Sequence, residues 1–101
     1  MNLKSCVIIP ARYESSRFPG KPLAKINGKE LVIWVSELSS KAVGKENVFV
    51  ATEDLRIKKL VEKNGYSCIM TSSNALTGTD RVAEASLNLN YDIFINVQGD
   101  E

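Results

Sequence analysis

The chain has 101 residues, with 13 Lys and Arg against 12 Asp and Glu, and its formal net charge is +1. This balance excludes a chain-wide electrostatic footprint for nucleic acid or a membrane surface, and no apolar run approaches the ~20 residues that a bilayer span requires. The sequence has no histidine, and Cys6 and Cys68 lie in separate apolar runs without zinc-site spacing. We therefore expect one domain without a His-based metal site, and two buried, reduced thiols in a cytoplasmic protein.

The first half of the chain predicts a strand, a turn and a helix. Residues 3–9 form a short run rich in Val and Ile that Pro10 ends, which is typical of a buried strand. Asn27 and Gly28 mark a turn, and apolar residues at helical spacing then predict an amphipathic helix that ends near Gly44. The stripe expected to face the core consists of Leu31, Trp34, Val35, Leu38 and Ala42.

Three further apolar segments predict strands at residues 47–51, 66–70 and 91–97. With helical patterns between them, the order becomes β-α-β-α-β-α-β. Crossovers of this length connect parallel strands with right-handed connections. The sequence therefore predicts an α/β fold with a three-layer, doubly wound parallel sheet.

Two shorter helices are predicted between these strands. Residues 52–54 supply capping and acidic side chains for the first helix, which Gly65 closes. Thr77 and Asp80 have capping-box spacing at the start of the second. The apolar stripes are Ile57, Leu60 and Val61 in the first helix, and Val82, Ala83, Ala85, Ser86 and Leu89 in the second.

The loop at residues 10–22 is the most unusual segment. It places Arg12, Arg17 and Lys21 within ten residues and also carries Gly20 and all three prolines. Cations supply charge, and main-chain N–H groups can line up toward phosphate oxygens, so the loop suits a polyphosphate. A solvated basic turn is the competing interpretation.

Four polar loops of the chain each follow a predicted strand. These loops are residues 10–22, 52–54, 71–81 and 98–101. Because the carboxyl ends of parallel strands meet at one edge, where ligands bind, the loops predict a single site. Cations facing a carboxylate at Asp100 suit a nucleoside triphosphate with Mg²⁺, and nucleotidyl transfer needs little beyond positioning and charge. Asp100 taken alone suits an ordinary turn equally well.

Several other chemistries are excluded. Gly20-Lys21 is followed by Pro22, so the chain has no P-loop motif, and no G-x-G-x-x-G fingerprint occurs. A Ser-His or Cys-His nucleophile is impossible without histidine.

Four segments carry a more specific signal. They are Pro10-Ala-Arg-Tyr-Glu-Ser-Ser-Arg-Phe-Pro-Gly-Lys-Pro-Leu23, Ala51-Thr-Glu-Asp54, Thr77-Gly-Thr-Asp-Arg81 and Asn96-Val-Gln-Gly-Asp-Glu101. In this order and at this spacing they resemble the 3-deoxy-manno-octulosonate cytidylyltransferases, also called CMP-KDO synthetases, over the whole chain. Glu30 departs from that family's pattern, which often has Pro at this position, and we expect the departure to be neutral for chemistry.

The resemblance implies a Rossmann-like, nucleotide-diphospho-sugar transferase fold. It also implies transfer of CMP from CTP to the anomeric hydroxyl of KDO (3-deoxy-D-manno-octulosonate), with release of pyrophosphate, in lipopolysaccharide biosynthesis. Arg12, Lys21 and Asp100 would be catalytic, and Asp100 would bind Mg²⁺. The triphosphate would lie against Arg12, Ser15, Arg17 and Lys21. Cytosine and ribose would be recognised by main-chain groups of Ala11 and Arg12, and by Thr77, Gly78, Thr79, Arg81 and Gln98.

We expect residues 1–101 to be the N-terminal, CTP-binding half of a cytidylyltransferase domain. The predicted strand at 91–97 is apolar at four of the five positions from 93 to 97 and would otherwise be a bare apolar edge. The family's sugar-binding residues, a second metal carboxylate and most of its dimer interface lie beyond this point. We therefore expect a homodimer at full length, and a 101-residue chain that binds CTP weakly and does not turn over alone.

Two alternatives stay open. The first is another acidic-sugar nucleotidyltransferase, for an amino-KDO or a sialic-type acid, although sialic acid activating enzymes share only the opening Pro-Ala-Arg. The second is a non-catalytic nucleotide-binding module.

Overall fold

A computed structural model of the protein describes residues 3–13, 19–72 and 77–98. The strands of these ranges are β1 (Ser5–Pro10), β2 (Lys25–Ile26), β3 (Lys29–Glu30), β4 (Val48–Thr52), β5 (Ser67–Met70) and β6 (Ile93–Asn96). The α-helices are α1 (Leu31–Val43), α2 (Leu55–Lys63) and α3 (Gly78–Ser86). Short 3-10 helices cover Lys21–Leu23 and Lys45–Asn47.

The main sheet is parallel throughout and has the strand order β5-β4-β1-β6. In its centre, Ile8 of β1 aligns with Phe49 of β4 on one side and with Asn96 of β6 on the other. The chain runs outward from β1 to β5 and then returns to the other side of β1. The carboxyl ends of β1 and β6 therefore flank the point where the winding reverses, which is where ligands bind in such sheets.

Helices cover both faces of the sheet. Val7 and Ile9 point toward α1 and α2 and pack in a cluster with Ile33 and Ile57. Cys6 and Ile8, which alternate with them, belong to a second cluster that contains Ala85 of α3. This period-two alternation gives three layers, and the predicted doubly wound α/β fold is confirmed.

The predicted core stripe of α1 was only partly right: Val35 packs against the core, but the stripe does not face the sheet as a whole. Leu38 is 63% exposed and Ala42 is also exposed, whereas the buried residues of the helix are Val32, Ile33, Ser36 and Ser39. The helix carries apolar residues on two sides, so spacing alone did not decide which side faces the sheet. Ser36 fits the buried side because its hydroxyl donates to the Val32 carbonyl at 2.8 Å, which satisfies the buried polar group.

Trp34 is accordingly not a core residue. Its indole Nε1 donates to the Ile26 carbonyl at 2.7 Å, and the Lys29 ammonium lies 4.1 Å from its ring centroid. Both partners belong to the β2–β3 hairpin, whose turn residues Asn27 and Gly28 have φ values of 53° and 82°. Two consecutive positive φ values are typical of a type I′ turn, so the predicted turn is confirmed and Trp34 attaches it to α1.

The ends of the two shorter helices follow the sequence. Asp54 is the N-cap of α2 and accepts from the Arg56 and Ile57 amides at 2.8 and 3.4 Å. Thr77 is the N-cap of α3 and accepts from the Asp80 amide at 3.0 Å. Gly65, with φ 85°, follows the end of α2. The predicted caps are confirmed because short oxygen side chains satisfy the free amides of a first turn.

The outer strand β6 presents a partly open apolar edge. Ile93 and Ile95 are 42% and 40% exposed. Among the helices of the described ranges, none combines the length and the apolarity needed to span a bilayer.

Candidate functional site

The strand-end loops meet at one edge of the sheet, which we call the carboxyl rim. Sheet-type hydrogen bonds continue past the strands and fix where each loop begins. The amide of Ala11 donates to the Ala51 carbonyl at 2.9 Å, that of Thr71 to the Thr52 carbonyl at 2.9 Å, and that of Val97 to the Ile8 carbonyl at 3.2 Å. The described starts of the four predicted loops therefore lie side by side.

Ala11 lies at the floor of the carboxyl rim. Its side chain is 1% exposed, and its single N–H is already used by the Ala51 carbonyl. A main-chain contact with a ligand at this position must therefore use the Ala11 carbonyl or the main chain of Arg12.

Arg12 and Lys21 are both half-buried at the two ends of the basic loop. The loop is closed at its base, because the Gly20 amide donates to the Tyr13 carbonyl at 2.5 Å. Gly20 has φ 76°, and the 3-10 helix at Lys21–Leu23 starts directly after it on the buried Pro22. The two cations thus stand next to the two residues, Tyr13 and Gly20, that this hydrogen bond joins. The predicted phosphate ligands Ser15 and Arg17 lie outside the described residues.

The predicted base-side residues come together where α3 begins. A Cβ atom on Gly78 would lie 2.9 Å from Oε1 and 3.0 Å from Nε2 of Gln98, so only glycine admits the amide at this distance without a shift. Gln98 also donates through Nε2 to the Asn96 side-chain oxygen at 3.2 Å. Thr77 and Thr79 are exposed beside this contact. The structure therefore joins two motifs that are separated by about a fifth of the chain.

Arg81 is buried, whereas a side chain that contacts a ligand at the surface has to be exposed. It is 1% exposed, and its Nη1 donates to the Thr71 hydroxyl and, at 3.4 Å, to the Ser72 carbonyl. Burial lowers the pKa of its guanidinium, the nearby Glu53 carboxylate opposes that shift, and the positive charge of Arg12 adds to it. Nε of Arg81 is buried without a hydrogen-bond partner among the described residues. Arg81 therefore supports the carboxyl rim from below, and its contact with a substrate stays a prediction.

Two acidic residues of this support were missed as site residues. Glu53 Oε1 lies 3.7 Å from Arg81 Nη1, and Glu84 Oε2 accepts from the Ser72 amide at 2.6 Å. Glu53 is the third residue of the family segment at residues 51–54, where the sequence indicated only a helix cap. Glu84 follows Arg81 by three residues, a spacing that puts both on one face of a helix.

The predicted metal ligand is not located. Asp100 lies outside the described residues, and within residues 3–13, 19–72 and 77–98 no group of three or more Cys, Asp or Glu side chains could hold a metal ion. The Mg²⁺ assignment stays a prediction.

A doubly wound parallel sheet with a cationic loop and a capped helix at its reversal point is an α/β architecture in which ligands bind at the carboxyl ends of the strands. Comparison with known proteins makes the class specific. The chain belongs to the cytidylyltransferase family, since the family model described as "Cytidylyltransferase" matches residues 6–101.

Individual relatives narrow the similarity further. The chain is 53% identical to a 3-deoxy-manno-octulosonate cytidylyltransferase 2 of Hydrogenovibrio crunogenus, over 98% of this chain and 41% of that protein. It is 52% identical to an 8-amino-3,8-dideoxy-manno-octulosonate cytidylyltransferase of Shewanella pealeana, over 94% of this chain and 40% of that protein.

A solved structure has the same fold over nearly the whole chain. It is a CMP:2-keto-3-deoxy-manno-octonic acid synthetase in complex with CTP, with a TM-score of 0.90 and 45% identity over 97% of this chain and 41% of that one. A cytidylyltransferase from Leptospira borgpetersenii matches with a TM-score of 0.79 and 28% identity, over 98% of this chain and 42% of that one. The chain therefore spans about two fifths of the length of the relatives that it matches.

Proposed function

We propose that residues 1–101 form the CTP-binding part of an enzyme that transfers CMP from CTP to KDO and releases pyrophosphate. One observation carries the proposal: the structure superimposes at a TM-score of 0.90 and 45% identity on a synthetase whose structure contains CTP. That match covers 97% of this chain.

The triphosphate side of the site would be the basic loop. Arg12 and Lys21 stand at its two ends, and Ser15 and Arg17 lie between them in the sequence. Cations held in place before the substrate arrives stabilise the charge that develops on phosphate oxygens. The acceptor hydroxyl oxygen would bond to the α-phosphorus, the bond from that phosphorus to the bridging oxygen would break, and pyrophosphate would leave with the electron pair. The hydroxyl proton would pass to solvent. Because the sugar oxygen itself would attack the phosphorus, no protein nucleophile is required.

The nucleoside side would lie between β1, β6 and the start of α3. The Ala11 carbonyl and the Arg12 main chain are the available backbone groups there, because the Ala11 amide is used within the sheet. Gln98 and Gly78 are in contact at the same place, and an amide side chain can both donate to and accept from a cytosine edge. We assign base and ribose recognition to these groups together with Thr77, Thr79 and the main chain leading to Arg81.

Mg²⁺ would be held by Asp100 and by the phosphate oxygens of CTP. The fit rests on donor chemistry, since a carboxylate with phosphates and water is the usual Mg²⁺ ligand set, and on Gln98, two residues earlier, which lies at the carboxyl rim against Gly78. A bound Mg²⁺ ion would neutralise charge on the triphosphate and polarise the reacting phosphorus.

The acceptor sugar has two candidates. Relatives named for KDO and for its 8-amino-8-deoxy analogue are 53% and 52% identical to this chain, so identity over the shared part does not separate them. KDO is the first candidate and the 8-amino sugar the second. A competition assay with both sugars at equal concentration decides between them, provided that the enzyme tested carries this protein's own sugar-binding part and not that of a relative.

The test uses this chain and a chimera that joins residues 1–101 to the remaining part of the Hydrogenovibrio crunogenus relative. We expect the chimera to release pyrophosphate only when CTP, an acceptor sugar and Mg²⁺ are all present. We expect the 101-residue chain to bind CTP in calorimetry without turnover. A folded chimera that binds CTP no better than ATP and releases no pyrophosphate would contradict the proposal.

The wider setting of the enzyme follows from the same proposal. We propose a homodimer at full length, which sedimentation of the chimera can measure, and a role in supplying an activated sugar for lipopolysaccharide in the cytoplasm. The non-catalytic binding module remains the outcome to which an inactive but CTP-binding chimera would point.

A further inference from the structure

A cation–π contact connects two of the strand-end loops. The guanidinium carbon of Arg56, in the first turn of α2, lies 3.4 Å from the centroid of the Tyr13 ring. Tyr13 follows β1, whereas Arg56 follows β4, so the contact crosses between neighbouring parallel strands. A guanidinium stacked on an aromatic face is attracted by the ring quadrupole and packs flat against it.

Arg56 is itself held in this orientation by the N-cap of its own helix. Its Nη2 lies 2.7 Å from Asp54 Oδ2, and its Nε lies 3.1 Å from Asp54 Oδ1. The paired hydrogen bonds from Arg56 lower the pKa of the Asp54 carboxyl. A guanidinium bound at two points by a fixed carboxylate has little freedom to rotate, so the face that it offers to Tyr13 is set by α2.

Tyr13 in turn contacts Gly20, at the other end of the basic loop. Its carbonyl accepts from the Gly20 amide at 2.5 Å. Its ring also lies against Gly20, where a Cβ atom would be 3.0 Å from ring carbon Cε2. Gly20 has φ 76°, a conformation that glycine tolerates and other residues rarely adopt. Lys21 follows immediately, so the ring packs on the residue that orients this cation.

We propose that Arg56 is a positioning residue for the basic loop. Asp54 binds the Arg56 guanidinium, and this guanidinium stacks on the Tyr13 ring. The ring packs on Gly20, which directly precedes Lys21. Through these contacts, the first turn of α2 holds both ends of the loop that carries Arg12 and Lys21. The consequence for nucleotide binding rests on the proposed function, whereas the ordering of Gly20 does not.

The direct test is hydrogen exchange of the Gly20 amide, measured by NMR on the chain without ligand. In Arg56→Ala we expect that amide to exchange about two- to fivefold faster, the range for a cation–π contact at an exposed site, since the Arg56 side chain is 58% exposed. Lys59→Ala, on an exposed position of the same helix, is the matched control and should leave Gly20 unchanged. Amides of the buried strand β1 should keep their protection in both variants, which shows that the sheet is intact.

Two further variants separate stacking from charge. Arg56→Lys retains the cation but loses the planar group, so we expect the Gly20 amide to exchange nearly as fast as in Arg56→Ala. In a Tyr13→Leu background, Arg56→Ala should have no additional effect, because the ring that receives the contact is gone. A full effect of Arg56→Ala in that background would overturn the proposed route.

Binding of CTP distinguishes positioning from direct contact. If Arg56 touched the nucleotide itself, Arg56→Ala would weaken CTP binding while Gly20 exchange in the free chain stayed the same, and that result would overturn the positioning role. If the chain bound no CTP at all, the proposed function would fail, yet faster exchange at Gly20 would still establish that the Arg56 contact orders Gly20.

Discussion

Arg81 of α3 and Glu53, which directly follows β4, form an ion pair of 3.7 Å beneath the carboxyl rim. The Arg81 side chain is 1% exposed and that of Glu53 is 18% exposed. The same guanidinium bonds to the Thr71 hydroxyl after β5. One buried cation thus connects the loops after two adjacent strands to the helix that begins the proposed nucleoside site.

Removing the carboxylate should destabilise the fold. Glu53→Gln leaves the buried guanidinium with less compensation, and we expect a loss of about 1–3 kcal/mol in the free energy of unfolding, the range for an unsatisfied buried polar group. Urea denaturation measures it. The exposed pair Lys58–Glu62, at 2.8 Å, is the control, since Glu62→Gln should cost much less, as exposed ion pairs contribute little to stability. Equal losses in the two variants would mean that Arg81 does not depend on Glu53.

The orientation of α1 is testable by truncating one residue on each side of the helix. Ile33 is 1% exposed and Leu38 is 63% exposed. Ile33→Ala should cost about 2–5 kcal/mol, as other large-to-small core substitutions do, whereas Leu38→Ala should stay within about 0.5 kcal/mol. Thermal or urea unfolding of both variants checks this. The stripe expected from helical spacing predicts the opposite order, so the two results separate the two orientations.

Gly78 should matter for ligand binding more than for stability. In Gly78→Ala the new methyl group would meet the Gln98 amide at 2.9 Å and displace it. The far end of a flexible side chain can move at low cost, so we expect little change in unfolding. We expect CTP binding to weaken about two- to tenfold, the equivalent of one hydrogen bond. Calorimetry compares CTP binding by Gly78→Ala, by Gln98→Ala and by the variant that combines the two substitutions. If the effect passes through Gln98, adding Gly78→Ala to Gln98→Ala should cause no further loss.

Cys68 makes stability depend on pH at the alkaline end. Of the two thiols predicted to be buried, Cys6 is buried and Cys68 is half-buried. The partial burial raises the pKa of the Cys68 thiol from the ordinary 9.0 to about 12. The unfolded chain therefore loses this proton at lower pH than the folded chain. The stabilising effect is fully present below about pH 9 and is lost as the pH rises toward 12, because the unfolded state then binds fewer protons. We expect Cys68→Ala to unfold with a shallower loss of stability between about pH 9 and pH 11. Parallel curves for the two proteins would contradict the pKa shift.

Asp100 is the residue on which the metal assignment depends. In the chimera, Asp100→Asn should lower kcat about a hundredfold or more, because charge stabilisation at a reacting phosphate contributes on that scale. Lys63→Ala, an exposed residue at the end of α2, should leave the rate unchanged. Titration of Mg²⁺ against rate should show a higher half-saturating concentration in Asp100→Asn. If the two variants lost activity equally, Asp100 would not be the metal ligand.

Local sequence signals determined the elements and their order. Val and Ile runs predicted the parallel strands, Asp54 and Thr77 predicted helix starts, and Asn27-Gly28 predicted the hairpin turn. These features depend on neighbours within a few residues, so they can be predicted from the local sequence. Because parallel strands end at one edge, the convergence of the loops also followed from the sequence.

Tertiary structure decided which side of each element is buried and which distant residues touch. Helical spacing could not choose between the two apolar sides of α1, and only contact with the sheet buried Ile33 instead of Leu38. Arg81 matches a binding motif, yet its guanidinium lies below the surface with Glu53, a residue 28 positions earlier. The Arg56–Tyr13 contact likewise depends on β1 and β4 being neighbours in the sheet. Side-chain packing between segments far apart in sequence depends on the whole fold, and no local pattern encodes it.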